Sequence, residues 1–118
     1  MNRKKVYTVI GLMSGTSLDG VDAALIRTDG VHHIERLHFL TIPYDDEMRE
    51  AIRRCLGRRE DVDGFIARTE IAITRAHAAA VDWMLSRTGI SPRDVDLIGF
   101  HGQTIFHDPA HKFTWQIG

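Results

Sequence analysis

Residues 11–22 carry small, hydroxyl-bearing and acidic side chains in the order GLMSGTSLDGVD. Backbone N–H groups and hydroxyls in such a turn can donate hydrogen bonds to a phosphate group. Asp19 and Asp22 are oxygen ligands of the kind that hold Mg²⁺, directly or through water. These residue types indicate a candidate site for a phosphate and its magnesium ion. An ordinary hairpin explains the same composition, because Ser, Thr, Asp and Gly are common turn formers.

The segment differs from the common phosphate loop in sequence and in context. That loop reads G-x-x-x-x-G-K-[ST] and leads into a helix. Here Gly11 and Gly15 lie four residues apart, no lysine follows them, and the next apolar run predicts a strand. A phosphate site in this segment would therefore be built by a hairpin.

A second polar segment, HGQT at 101–104, directly follows the apolar run LIGF. Ligands of open α/β sheets lie beyond the carboxyl ends of the strands, so His101, Gln103 and Thr104 are placed where a cleft is expected. A structural role explains His101 equally well, and a turn explains the HD pair at 107–108. Both polar segments follow strands whose carboxyl ends should share one edge of the sheet. This favours one site built from two loops.

The apolar pattern predicts the elements that position these segments. Asp-Gly turns join the first three strands into an antiparallel meander. The first strand and the LIGF strand are nearly continuous apolar runs, so both are expected to be buried, the first on both faces. Cap and stop residues bound the two helices. The predicted elements are strands at 6–13, 21–27 and 32–42, helices at 46–56 and 63–87, and strands at 97–100 and 113–117.

The order β-β-β-α-α-β, with a final strand, predicts an α/β fold in one domain over residues 1–118. The helices form a crossover that is long enough to be right-handed and to set the fourth strand parallel to the first. Three antiparallel strands followed by such a crossover are typical of a ribonuclease-H-like domain.

Composition excludes several classes of protein. The net charge of −1 does not indicate a nucleic-acid partner. No stretch approaches the roughly 20 apolar residues that a membrane span requires. Cys55 is the single cysteine, so no internal disulfide can form, which fits the reducing cytoplasm. The basic N-terminus precedes an apolar run that is too short for a signal peptide and is interpreted as the first strand.

Three stretches of the chain, GLMSGTSLDGVDAALI, DLIGFHGQTIFHDP and TWQIG, resemble the bacterial anhydro-N-acetylmuramic acid kinases. The motifs M-S-G-T-S-x-D-G-x-D and H-G-Q-T form a specific pair, and the similarity extends in order along the whole chain. These kinases belong to the superfamily of sugar kinases, Hsp70 and actin. The resemblance implies an actin-like ATPase domain that grips the phosphates of ATP with a β-hairpin.

The resemblance also implies cofactors and site residues. ATP is the expected co-substrate, with Mg²⁺ held by Asp19 and Asp22. The residues that fall on the ATP-binding segment of the family are Gly15, Thr16, Ser17, Leu18, Asp19, Gly20, Val21 and Asp22. The residues expected to border the sugar are His101, Gly102, Gln103 and Thr104.

The reaction implied is the opening of 1,6-anhydro-N-acetylmuramic acid by water and its phosphorylation at O6 by ATP, during cell-wall recycling in the cytoplasm. No position matches the catalytic base of the family, which is expected in a motif beyond Gly118, so no catalytic residue is assigned within 1–118. The chain is therefore expected to be an N-terminal part that is inactive alone. A homodimer is left open. The alternatives are a non-catalytic nucleotide-binding or interaction module and a superfamily kinase with another acceptor.

Overall fold

The structure, a computed structural model, describes residues 6–14 and 18–118. Its elements are β1 (Tyr7–Ser14), β2 (Gly20–Thr28), β3 (Ile34–Pro43), α1 (Asp46–Cys55), α2 (Phe65–Thr88), β4 (Leu97–Phe100), β5 (Gln103–Asp108) and β6 (Phe113–Ile117). Short 3-10 turns lie at Pro92–Asp94 and Pro109–His111. The predicted order of three strands, two helices and a fourth strand is confirmed.

The first four strands form one sheet in the order β3-β2-β1-β4. β1 pairs antiparallel with β2, and β2 pairs antiparallel with β3, which confirms the meander. β4 pairs parallel with β1, with Leu12 opposite Phe100. The carboxyl ends of β1 and β4 therefore lie at one edge of the sheet, as the two polar segments require.

Side-chain hydrogen bonds fix the first turn of each helix, and a glycine ends α2. Asp45 accepts a hydrogen bond from the Met48 N–H at 2.7 Å and starts α1, as predicted. The Asp61 carboxylate accepts the N–H groups of Ile66 and Ala67 and fixes the first turn of α2. Gly89, with a φ of 71°, ends α2 as predicted. Within the described ranges, neither helix is both long and apolar enough to cross a lipid bilayer.

The core lies between one face of this sheet and the two helices. Ile10, Val21 and Leu25 point to that face and are fully buried, and they pack in one cluster with Ile73 and Met84 of α2. Alternation along β1 and β2 puts every second residue on this face.

Two predictions of burial are wrong. β1 was expected to be covered on both faces, but Met13 is 53% exposed. β4 was expected to be a buried strand, but Leu97 is 61% exposed and Ile98 is 47% exposed. The described helices lie on only one side of the sheet, and β4 is an edge strand. A continuous apolar run shows that a strand has apolar side chains on both faces. It does not show that other elements pack against both faces.

The segment after β4 also differs from the prediction. A loop was expected at 101–104 and a turn at 107–108, but β5 begins at Gln103 and pairs antiparallel with β6 in a separate two-stranded sheet. The Gly57 N–H donates to the Ile105 carbonyl at 2.7 Å and ties this hairpin to the end of α1. In β5, buried and half-buried side chains alternate over its first four residues, but several of its side chains are polar, so the apolar pattern did not predict a strand.

Candidate functional site

A trough of about 600 Å³ lies on the uncovered face of the four-stranded sheet. Its floor is a row of small residues on adjacent strands, in which Gly11 pairs with Ala24 on one side and with Gly99 on the other. A Cβ added at Gly11 or Gly99 would meet no atom within 4 Å, so the space above the floor is open. The lining residues are Gly11, Leu12, Met13, Asp22, Ala24, Phe39, Gly99, Phe100 and His101.

The trough brings the two predicted motifs together. Asp22 of the hairpin segment and His101 of the H-G-Q-T segment line the same space. Asp22 points to this face because it alternates with the buried Val21 and Ala23, and its Oδ1 accepts a hydrogen bond from Thr41 Oγ1 at 2.7 Å. The carboxyl end of β4 delivers His101, whose side chain is exposed. The geometry thus supports one site built from two segments.

A second link between the motifs is a chain of buried hydrogen bonds. The Tyr44 hydroxyl donates to Ser14 Oγ at 2.8 Å, and the Ser14 hydroxyl donates to Gln103 Oε1 at 2.6 Å. Burial raises the pKa of the Tyr44 phenol, so the phenol stays protonated and acts as a donor. Gln103 is 1% exposed, which makes it a partner of Ser14 and not an open contact for a ligand in the described chain.

The hairpin residues divide into buried and exposed positions. Leu18 and Val21 are 4% and 0% exposed, so only their backbone groups can face a phosphate. Leu18 has a φ of 59°, in the left-handed region that leucine rarely adopts. Asp19 is exposed, and its carbonyl accepts the Tyr44 N–H at 2.9 Å. The predicted phosphate contacts Gly15, Thr16 and Ser17 lie outside the described residues.

The remaining residues of the second segment are held in the β5–β6 hairpin. Gly102 has a φ of 80°, and a Cβ there would lie 2.7 Å from the Ile117 carbonyl oxygen, so the position requires glycine. Thr104 Oγ1 accepts a hydrogen bond from Gln116 Nε2 at 3.1 Å. His101 is therefore the side chain of this segment with open access to the trough.

Among the parts of the chain that the structure describes, no three His, Cys, Asp or Glu residues converge as a metal cage. An ion such as Mg²⁺ does not require such a cage, because it commonly binds one or two carboxylates, keeps several waters and takes its other oxygens from phosphates. Asp19 and Asp22 supply carboxylates of this kind beside the hairpin.

Comparison with known proteins decides the family. The family model described as anhydro-N-acetylmuramic acid kinase matches residues 7–118. The chain belongs to the anhydro-N-acetylmuramic acid kinase family. A relative of that name from Rhizobium etli is 48% identical over 96% of this chain and 32% of its own length. Others of that name from Rhizorhabdus wittichii and Rhodopseudomonas palustris are 46% and 48% identical, over 92% and 94% of this chain.

This member of the anhydro-N-acetylmuramic acid kinase family spans about a third of the length of the curated relatives it matches. Sequence reasoning selected the two motifs that the fold brings together. It missed Tyr44 and the hydrogen bond from Ser14 to Gln103, which joins the two motifs. Ser14 lies within M-S-G-T-S-x-D-G-x-D, but Tyr44 lies between β3 and α1 and carries no motif signal. The sequence holds no signal that selects Tyr44, because the burial and the hydrogen-bond partner of its hydroxyl follow from the fold.

Proposed function

We propose that residues 1–118 form the phosphate-binding part of a kinase that converts 1,6-anhydro-N-acetylmuramic acid to N-acetylmuramic acid 6-phosphate. Water opens the anhydro bond, and the γ-phosphoryl group of ATP passes to O6, which leaves ADP. The observation that carries this proposal is the shared trough, which is lined by Asp22 of one family motif and by His101 of the other. The identity of the sugar is inferred from the names of the relatives.

ATP binds with its phosphates at the hairpin of residues 15–22, where backbone N–H groups and hydroxyls donate to phosphate oxygens. Asp19 and Asp22 hold Mg²⁺, which would neutralise charge on the phosphate oxygens when bound. The support for this assignment is positional, because Asp19 is exposed at the start of β2 and Asp22 lines the trough.

The sugar lies on the side of the trough formed by residues 101–104. His101 faces it, and Gly102, Gln103 and Thr104 shape the segment that carries His101. The sheet topology, with a helical crossover from the meander to a parallel strand, supports a ribonuclease-H-like, actin-like domain. The protein acts in the cytoplasm, where a one-cysteine chain suits the reducing conditions.

Residues 1–118 correspond to an N-terminal kinase domain that covers about a third of the length of the curated relatives, and we assign no catalytic base among them. The trough is bounded by one sheet face, so bound phosphates would stay in contact with water, which weakens electrostatic stabilisation. We therefore expect this segment alone, given ATP, Mg²⁺ and the anhydro sugar, to form no ADP above a no-protein control.

The decisive experiment uses the protein at its full natural length. ADP and sugar phosphate are measured with the anhydro sugar as acceptor, for the unsubstituted protein and for Asp19→Asn. Losing one charge-assisted contact should lower kcat/KM for ATP by about 10- to 100-fold, at 1.5–3 kcal/mol per such contact. The exposed Asp82→Asn on α2 is the matched control and should leave the kinetics unchanged.

Two outcomes would contradict the proposal. An unsubstituted protein that forms no sugar phosphate would remove the assigned reaction. A normal rate with a lowered melting temperature in Asp19→Asn would make this carboxylate a structural turn residue.

A further inference from the structure

We infer that Tyr44 and Gln103 are positioning residues that hold the two flanks of the phosphate hairpin through Ser14 and Asp19. The inference rests on the proposed function, because it assigns the effect of these residues to ATP. It moves Gln103 from the sugar side, where the sequence placed it, to the nucleotide side of the site. Neither residue has to touch ATP for this role.

Tyr44 contacts the chain on both sides of residues 15–17. Its hydroxyl donates to Ser14 Oγ at 2.8 Å on one flank, and its backbone N–H donates to the Asp19 carbonyl at 2.9 Å on the other. Tyr44 is 5% exposed and Leu18 is 4% exposed, so this flank is packed as well as hydrogen-bonded. One residue thus fixes the spacing of the two ends of the hairpin.

Gln103 fixes the direction of the Ser14 hydroxyl. Its Oε1 can only accept, so the Ser14 proton points to Gln103 and the Ser14 lone pairs receive the Tyr44 proton. The hydrogen bonds form a single oriented chain from Tyr44 through Ser14 to Gln103. All three residues are buried, where a hydroxyl left without its partner is costly.

The second sheet holds Gln103 in place. Gln103 is paired with Ile117 across the β5–β6 hairpin, and Ile117 is 1% exposed in the core cluster. The preceding Gly102 packs its backbone against the Ile117 carbonyl, with no room for a Cβ. The β5–β6 hairpin therefore fixes the position of the Gln103 side chain, and the hydrogen bond from Ser14 to Gln103 fixes the Ser14 side chain at the end of β1. This explains why a buried residue stands inside the H-G-Q-T motif.

The test compares isosteric substitutions in the protein at its full natural length. Gln103→Met removes the acceptor but keeps the length of the side chain, and Tyr44→Phe removes the hydroxyl but keeps the backbone contact with Asp19. Each should raise KM for ATP about tenfold, the loss expected from one buried hydrogen bond, and leave KM for the sugar within about twofold. In the double variant, KM for ATP should rise by less than the product of the two single increases, because both residues act through Ser14.

Gln116→Met is the matched control. It makes the same chemical change in the same hairpin and removes the exposed bond to Thr104, which does not reach Ser14. Its KM values should stay unchanged. His101→Ala is the contrasting variant and should raise KM for the sugar more than KM for ATP.

A rise in KM for the sugar alone in Gln103→Met would overturn the inference and return Gln103 to the sugar side. Unchanged kinetics in both Tyr44→Phe and Gln103→Met would overturn it as well. An unsubstituted protein without turnover would refute the proposed reaction only, and titration of the same variants with Mg-ADP would then decide the inference. Equal affinity for Mg-ADP across that set, or no binding by the unsubstituted protein, would overturn it.

Discussion

The two faces of the four-stranded sheet are made by the same strands and differ in almost every other respect. The face toward the helices carries Ile10 and Leu25, both fully buried. The opposite face carries Met13 and Phe39 at 53% and 63% exposure, and between them the small residues that floor the trough. Successive side chains of a strand point to opposite faces, so one face of the sheet forms the core and the other forms the candidate site.

The sharpest test of this difference replaces one leucine on each face. Leu25→Ala removes a fully buried side chain and should cost about 2–5 kcal/mol of unfolding free energy. Leu97→Ala makes the same change on β4, where the side chain is 61% exposed, and should cost under about 1 kcal/mol. Urea unfolding of the protein at its full natural length measures both.

Equal losses in the two leucine variants would break the comparison. They would mean that the face carrying Leu97 is covered in that protein by residues outside the described ranges. A small loss in Leu25→Ala would contradict the position of the core.

A pair of glycine substitutions gives a smaller contrast. A Cβ at Gly20 would lie 2.1 Å from the Ile42 carbonyl oxygen, so Gly20→Ala must push β2 away from β3 and should cost about 1–3 kcal/mol. Gly11→Ala adds its methyl above the trough floor, where nothing lies within 4 Å, and should change stability by under about 1 kcal/mol. Thermal unfolding should separate the two variants. A Gly20→Ala protein as stable as Gly11→Ala would disprove the close approach.

The smallest expected effect is a pH dependence on the helix face. His77 is 2% exposed, its Nδ1–H donates to the Ile73 carbonyl at 2.7 Å, and its ring meets Phe100 edge-on. Burial lowers the pKa of His77 below its ordinary value of 6.5, so the folded state binds this proton less readily than the unfolded state. The stability from neutral His77 is present above pH 6.5 and is lost as the pH falls through the lower folded pKa.

Unfolding free energies between pH 8 and pH 5 test this sign. His77→Leu should flatten the acid side of the profile, and the same substitution at His38, which is exposed on β3, is the matched control. A steeper acid slope in His77→Leu would contradict the direction of the shift.

The sequence was sufficient for those parts of the fold that depend on turn residues between apolar runs and on helix caps. Asp-Gly turns marked the meander, Asp45 marked the start of α1, and Gly89 marked the end of α2. The strand 103–108 escaped prediction because the buried Gln103 broke the apolar alternation that identifies strands. A polar side chain can occupy an inward position when a partner such as Ser14 satisfies it, and no local pattern reveals that partner.

The sequence predicted that the two motifs lie near each other, but it did not predict which way their side chains point. Motif residues Asp22 and His101 share the trough, as expected of two segments at one sheet edge. The role of Gln103 depends on which way its side chain points, and the sequence does not fix that direction. Tyr44 could not be selected at all, because its two contacts join residues that are distant along the chain.

The bond from Ser14 to Gln103 has a consequence for how the chain reaches this state. It joins residues 89 positions apart, whereas the Thr41–Asp22 bond joins residues 19 apart. Loop-closure entropy makes the longer connection costlier by about 1.4 kcal/mol, roughly a factor of ten in probability. The meander and α1 can form from contacts of low contact order, but the bond between the motifs has to wait for β4 to dock on β1. The junction between the two motifs thus depends on the contact of highest sequence separation among these hydrogen bonds, whereas the meander and α1 depend on contacts between near neighbours in the chain.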